Sequence, residues 1–203
     1  MKRGKTVQEG GAVYNFTGPQ GFGIANVADS LYAIRKLVFE EKKVTLSEYK
    51  KALALNFGKG FDAITVQEMT KEIIKELVKA GQQPSQAQIA GIVKGIMDTE
   101  IPDKDKELCE RLLAMIEEVP KYGNDIEEVD MFAREVAYTY TKPLQNYRNP
   151  RGGIFQAGLY PVSANVPLGA QTGATPDGRL AHTPVADGVS PTACLLYTSP
   201  SPR

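Results

Sequence analysis

The residues able to do chemistry in this chain are few and scattered. Gly18-Pro-Gln-Gly21-Phe-Gly23 runs into a helix start, and glycine-rich backbone at a helix N-terminus can cradle an anion. The spacing is neither the dinucleotide fingerprint nor a P-loop, and no Lys-Ser/Thr follows, so a tight packed turn is the favoured reading. His182, the single histidine, sits in Arg-Leu-Ala-His-Thr-Pro with no Gly-x-Ser-x-Gly elbow to partner it. Cys109 falls between Leu108 and Glu110 in a helical stretch, where a cysteine is usually inert filling. Asp125, Glu127, Glu128 and Asp130 cluster where a helix begins, so they complement its dipole better than they bind a metal. The EF-hand spacing is absent. Pro176-Asp-Gly-Arg179 is a turn signature, and Arg179 can either clamp a carboxylate or hold backbone carbonyls. One histidine and two cysteines exclude a multi-histidine or four-cysteine zinc site within the chain.

The elements that must position these groups are legible from punctuation. Of 19 glycines, six lie in residues 1–25 and seven in 148–203, and eight of 13 prolines lie in 148–203. A helical middle therefore separates two Gly/Pro-rich ends. The C-terminal end is poor in charge and carries Ile154, Phe155, Leu159, Tyr160 and Val162, so it reads as irregular backbone and short strands rather than a linker. Ala12–Phe16 and Gly153–Ser163 are the best strand candidates. Asn26 is expected to cap a helix reaching about Glu40. Thr45-x-x-Glu48 and Thr65-x-x-Glu68 read as capping boxes, the second opening a buried stripe of Ile73, Ile74, Leu77 and Val78 that Gly81 stops. Ser85 and Asp103 start two more helices, Val119-Pro120 ends the second, and Asn124 or Asp125 starts the longest, which Pro143 should end or kink. The 203 residues carry 24 basic and 24 acidic side chains, which argues against a large nucleic-acid surface or a polybasic membrane anchor. No apolar run approaches a bilayer-spanning length, and no apolar segment follows the basic Met-Lys-Arg-Gly-Lys start, so it is not read as a secretory signal. So few cysteines exclude a disulfide scaffold and favour a reducing cytoplasm.

Residues 10–39, beginning Gly-Gly-Ala-Val-Tyr-Asn-Phe-Thr-Gly-Pro-Gln-Gly-Phe-Gly, and residues 160–179, Tyr-Pro-Val-Ser-Ala-Asn-Val-Pro-Leu-Gly-Ala-Gln-Thr-Gly-Ala-Thr-Pro-Asp-Gly-Arg, carry a resemblance. Pro184-Val-Ala-Asp-Gly-Val-Ser-Pro191 continues it, and Pro120-Lys-Tyr-Gly-Asn-Asp125 adds a shorter match. Together these resemble the glycyl radical enzymes, in the pyruvate formate-lyase domain, with the first stretch most similar to the glycerol or diol dehydratase branch. The resemblance implies an α/β fold, here a helix-rich fragment of a barrel of two antiparallel five-stranded halves wrapped by helices. It implies a backbone glycyl radical that makes a thiyl radical on a cysteine; the thiyl removes a substrate hydrogen. In the dehydratase branch the substrate radical then loses water from glycerol or a 1,2-diol. In other branches, formate acetyltransferase-like members included, a C–C, C–N or C–S bond breaks. It further implies a homodimer, a small-molecule substrate, a separate radical-SAM activase with an iron–sulfur cluster, and anaerobic metabolism in the cytoplasm or a bacterial microcompartment.

The two radical motifs of that family, Gly-Cys-x-Glu and Arg-Val-x-Gly-Tyr, do not occur in the sequence. No residue of this chain is therefore assigned a catalytic or metal-binding role, and no cofactor is expected to bind it directly. The matching stretches belong between the two motifs, so residues 1–193 are expected to be an internal, partial domain that is inactive by itself, with about 58–118 as a helical insertion. A non-catalytic truncated paralogue serving as a binding or dimerisation module is the alternative. Tyr160 and Val162, two apart on a strand and hence on one face, are the expected substrate-lining residues, with plain barrel filling as the alternative. Residues 194–203 match one reading frame of a transposase sequencing adapter and are expected to be read-through.

Overall fold

A computed structural model describes residues 4–161 and 163–192. The predicted Val162 and the tail 194–203 lie outside the described residues. Two compact units form. One is drawn from residues up to 29, from 121–165 and from 185 onward; the other from 30–120 and 166–184.

The first helix, α1 (Ile24–Ile34), continues as a π-helical turn over Arg35–Glu40 and ends where predicted. It starts two residues before Asn26, because Gly23 supplies the first acceptor to Val27 N–H at 2.9 Å. The Asn26 side chain is thereby freed for a distant backbone group. α2 (Leu46–Ala54) opens with the expected Thr45–Glu48 capping box. α3 (Ala63–Lys79) does not use Thr65 as its cap. Asp62 caps it instead, its carboxylate accepting from Ile64 and Thr65 N–H at 2.8 and 3.0 Å. An aspartate makes both bonds at once from one residue, so the box three residues on is superfluous. The Ser85–Gln88 box opens α4 (Gln86–Met97).

α5 (Asp103–Glu118) is the core helix of the second unit. Cys109, Leu112 and Ile116 recur along one face and are fully buried with Tyr32, Leu37 and Tyr49. A large aliphatic side chain so placed contributes roughly 1.5–3 kcal/mol. The expected α3 stripe is different: Ile73 and Val78 are 38% and 53% exposed, and α3 buries only Val66 and Thr70. In the first unit, α6 (Glu127–Leu144) begins two residues after Asp125, which holds a left-handed φ of 58° and so cannot join the helix. Pro143 sits in its last turn and ends it. A short α7 (Asn165–Ala170) falls almost wholly in the second unit.

The strand expectation needs correction. Among the described residues there is no multi-residue strand. Among them Ala12–Phe16 forms no bridge at all, and Gly153–Ser163 contributes only to isolated ones, Phe155 with Thr17 and Gly158 with Gln20 in parallel and Ile154 with Arg148 antiparallel. Pro19 and Pro161 lack the N–H that a continuous ladder would need, and the intervening glycines favour bends. The helix-rich half of the fold expectation stands.

Candidate functional site

Parts of the stretches that carried the resemblance, within residues 10–29, 121–125 and 185–191, converge in the first unit with residues 158–160. Gly21 N–H donates to the Gly158 carbonyl at 2.8 Å, and Gly158 N–H to Pro19 at 2.8 Å. Gly23 N–H donates to Ala186 at 2.9 Å, and Ala186 N–H to the Asn26 side chain at 2.7 Å. Asp29, 1% exposed on α1, accepts from Tyr122 N–H at 2.9 Å. A Cβ on Gly123 would come within 2.6 Å of Pro191. The glycine loop 18–23 is thus a packed turn. Two of its N–H groups are spent on protein carbonyls and cannot cradle a phosphate.

Tyr160 stands at this junction, 58% exposed. Its backbone lies against Gly188, whose missing Cβ would approach the Leu159 carbonyl oxygen to 2.5 Å and the Tyr160 carbonyl carbon to 2.9 Å. Its ring and the Gln20 amide both lie 3.1 Å from where a Cβ of Gly158 would stand. The Gln20 side-chain oxygen, beside Gly158, and the Tyr140 hydroxyl, whose ring lies against Gly21, are buried without a hydrogen-bond partner among the described residues, and burial pushes the Tyr140 phenol upward in pKa. The Tyr160 phenol, on an exposed side chain, can donate to or accept from a small polar ligand. Sequence reasoning named Tyr160 but missed Gln20 and Tyr140. The Gly18–Gly23 spacing signalled the close approach without saying to what.

The other candidates resolve structurally. Asp130 accepts from Gly123 N–H at 2.8 Å, and Glu127, Glu128 and Asp130 occupy the first turn of α6, as a dipole-complementing run should. Among the described residues no three His, Cys, Asp or Glu side chains gather to hold a metal. Cys109 is fully buried, and burial pushes its thiol up, away from the reactive thiolate. In the second unit Arg179 takes the carbonyl option left open by its sequence. Its guanidinium donates to the carbonyls of Leu180 at 3.0 Å, Thr183 at 2.6 Å and Gly173, and to Thr175 Oγ1 at 3.1 Å. His182 holds a left-handed φ of 64° and its Nδ1 meets the Ala170 carbonyl at 2.8 Å.

A second organised feature went unread in the sequence. Asn149, 6% exposed, fills its hydrogen-bonding capacity. Its amide donates to the Asn15 carbonyl and to Thr17 Oγ1 at 3.0 Å, and its oxygen accepts from Arg151 and Gly153 N–H at 3.0 and 2.9 Å. The signal was Asn149-Pro-Arg-Gly-Gly153, a turn-forming Asn-Pro followed by paired glycines.

Residues 1–169 match the model of the pyruvate formate lyase-like family. The chain belongs to that family. Among solved structures this pyruvate formate lyase-like chain is 63% identical, with a TM-score of 0.86, to a Roseburia inulinivorans protein described for 1,2-propanediol dehydration, over 94% of this chain and 23% of that one. It is 42% identical, TM-score 0.63, to the B12-independent glycerol dehydratase of Clostridium butyricum, over 94% of this chain and 18% of the other. It is 31% identical, TM-score 0.62, to a glycyl radical enzyme from Archaeoglobus fulgidus, over 92% of this chain and 18% of that one. The resemblance to glycyl radical enzymes of the diol and glycerol dehydratase branch is thus borne out. The chain spans about a fifth of the length of the curated relatives it matches. Among the described residues no helix is long and apolar enough to cross a membrane.

Proposed function

We propose that this chain is an internal segment of a glycyl radical dehydratase that eliminates water from a 1,2-diol or glycerol. The observation that carries the reading is the 63% identity and 0.86 TM-score with the Roseburia protein of 1,2-propanediol dehydration. Neither radical motif occurs in the sequence, so the hydrogen-abstracting cysteine and the radical glycine belong to other parts of the polypeptide. When present, the glycyl radical supplies the one-electron chemistry that starts the elimination. This chain's part is to line the pocket. Tyr160 offers its phenol to a substrate hydroxyl from a backbone fixed by Gly158 and Gly188, and Val162 follows two residues on as an apolar wall.

The finer features belong to the same proposal. Residues 1–193 are one partial domain of a barrel of two five-stranded halves, with 58–118 a helical elaboration, and 194–203 are read-through. The longer enzyme is a cytoplasmic or microcompartment homodimer whose radical is installed by a radical-SAM activase.

The test is a graft. Residues 4–192 replace the matching segment of the Roseburia protein, and aldehyde formation from propane-1,2-diol and from glycerol is followed anaerobically after activation. Turnover within about tenfold of the parent, with Tyr160→Phe costing roughly 1–3 kcal/mol in kcat/KM for the loss of one hydrogen bond to substrate, is the expected result. A graft that carries the radical by electron paramagnetic resonance and dehydrates neither diol sinks the reading.

A further inference from the structure

The turn built on Asn149 supports a surface that the proposed function leaves unused. Val13, Tyr14, Phe16, Arg148, Arg151 and Ile154 wall an open groove of about 480 Å³ within the first unit. Val13, Tyr14 and Phe16 are 73%, 84% and 56% exposed, and Ile154 is 42% exposed. No carboxylate lines the groove, and neither arginine makes an ion pair among the described residues. The floor is rigid, since Asn149 ties residues 15, 17, 151 and 153 together and a Cβ on Gly153 would stand 1.6 Å from the Asn15 oxygen. Aromatic and arginine side chains over a preformed floor are the composition of an interface centre. A contiguous apolar patch of this kind marks a surface that something covers.

We propose that this groove seats an extended segment of the remaining polypeptide, one that sets a carboxylate between Arg148 and Arg151 and an apolar side chain on Tyr14 and Phe16. Charge selects the carboxylate: two unpaired guanidiniums fork to one acid, and nothing in the groove competes. Length selects the source. The chain covers 23% of the Roseburia protein, so over three-quarters of such an enzyme is available in the same molecule at high effective concentration. Shape selects an extended segment, because non-helical backbone walls the trough on both sides, residues 13–16 and 151–156. The inference rests on the reading that this chain is part of a longer enzyme, and it extends that reading to how the part is held.

The grafted enzyme tests it without needing turnover. Tyr14→p-benzoylphenylalanine is introduced, the purified radical-free protein is irradiated, and the cross-linked peptide is identified by mass spectrometry. A link within the same polypeptide, to an acidic peptide outside residues 4–192, is expected. Its yield should fall at least tenfold in Arg148→Glu/Arg151→Glu and clearly in the milder Arg148→Gln/Arg151→Gln. Arg134→Glu, an exposed arginine on α6, should leave it unchanged. A link to the other subunit, a yield indifferent to both double variants, or no link in a soluble graft overturns the proposal. Loss of dehydration with the cross-link intact would instead defeat the diol dehydratase reading and leave this one standing.

Discussion

The loops around Asn149 and Arg179 are built alike and used differently. Each is irregular backbone organised by one multivalent polar side chain in place of a helix or sheet ladder. Arg179 works only as a donor, gathering carbonyls of residues 173, 180 and 183 inside its own loop. The same loop is pinned from outside it in the second unit: Tyr49 donates to the Pro176 carbonyl at 2.5 Å, Ser30 accepts from Asp177 N–H at 3.1 Å, and Asn56 accepts from Ala181 N–H at 2.8 Å. Asn149 works as donor and acceptor at once, and the loop above it remains open to solvent over a groove. A charged fork suits a closed loop, where many carbonyls need donors and burial penalises leaving any bare. A neutral amide suits a platform, because it balances donors and acceptors and leaves the surface charge to Arg148 and Arg151.

The most damaging way to break this comparison is steric. Gly153→Ala would place a methyl 1.6 Å from the Asn15 oxygen, so the backbone of the Asn149 loop must separate. We expect a loss of more than about 4 kcal/mol, the tail reserved for strain and broken buried networks. Gly95→Ala in α4, where a Cβ meets nothing within 4 Å, should stabilise by up to roughly 1 kcal/mol. Urea unfolding of the grafted enzyme measures both, and equal effects would show that the close approach at Gly153 is absent.

Next is the donor fork. Arg179→Ala strips the carbonyls of residues 173, 180 and 183 of their donor and should cost roughly 3 kcal/mol locally, at about 1 kcal/mol net for each bond in a half-buried loop that water can reach. Arg179→Lys should recover only part, because an ammonium cannot span carbonyls on opposite sides of the loop. Hydrogen exchange of residues 172–183 is the readout, and full rescue by lysine would reduce Arg179 to a point charge. Asn149→Asp should cost less, about 1–2 kcal/mol, because it keeps the bonds from Arg151 and Gly153 N–H, can accept from the Thr17 hydroxyl, and loses the bond to the Asn15 carbonyl. Its deprotection should stop at residues 15–17.

These contrasts also mark where sequence reading ran out. Caps were legible because they are local: Thr45 with Glu48 and Ser85 with Gln88 sit three residues apart, and both boxes form. Asp62 was overlooked because one aspartate can replace a box, which spacing alone does not reveal. The α3 stripe had the right period, yet Ile73 and Val78 remain exposed, since periodicity names a face and not its cover. Arg179 stayed undecided because its acceptors are backbone atoms, which every residue carries. Tyr160 was found through resemblance, while Gln20, some 140 positions earlier, reaches it only through the Gln20–Gly158 bridge. Contacts across such separations depend on where glycine permits close approach, and that is a property of the folded pair.

The smallest expected effect carries the comparison to the surface. The Thr45–Glu48 box is the same device, side chain exchanged for backbone partner, but in water. Glu48 accepts from Thr45 N–H and from its hydroxyl, both at 2.8 Å, and the backbone bond first, the hydroxyl second, hold its carboxyl below the usual range. A carboxyl with a depressed folded-state pKa contributes stability that is complete above its unfolded value. That contribution fades as pH falls through the folded one. Acid should therefore loosen the first turn of α2 while the Asn149 loop, held by a side-chain amide that does not titrate there, keeps its protection. Because the box is exposed, solvent screens it, and the whole cap is worth about 1 kcal/mol by Thr45→Ala, with the acid-sensitive part a fraction of that. Rate-corrected hydrogen exchange at pH 3 and pH 7 over residues 45–49 measures it. Glu48→Gln should abolish the pH dependence and keep most of the protection, because an amide oxygen still accepts from Thr45 N–H. If the turn instead tightens in acid, the carboxylate is not what holds it, and burial rather than hydrogen bonding would have to separate the Asn149 loop from this outer one.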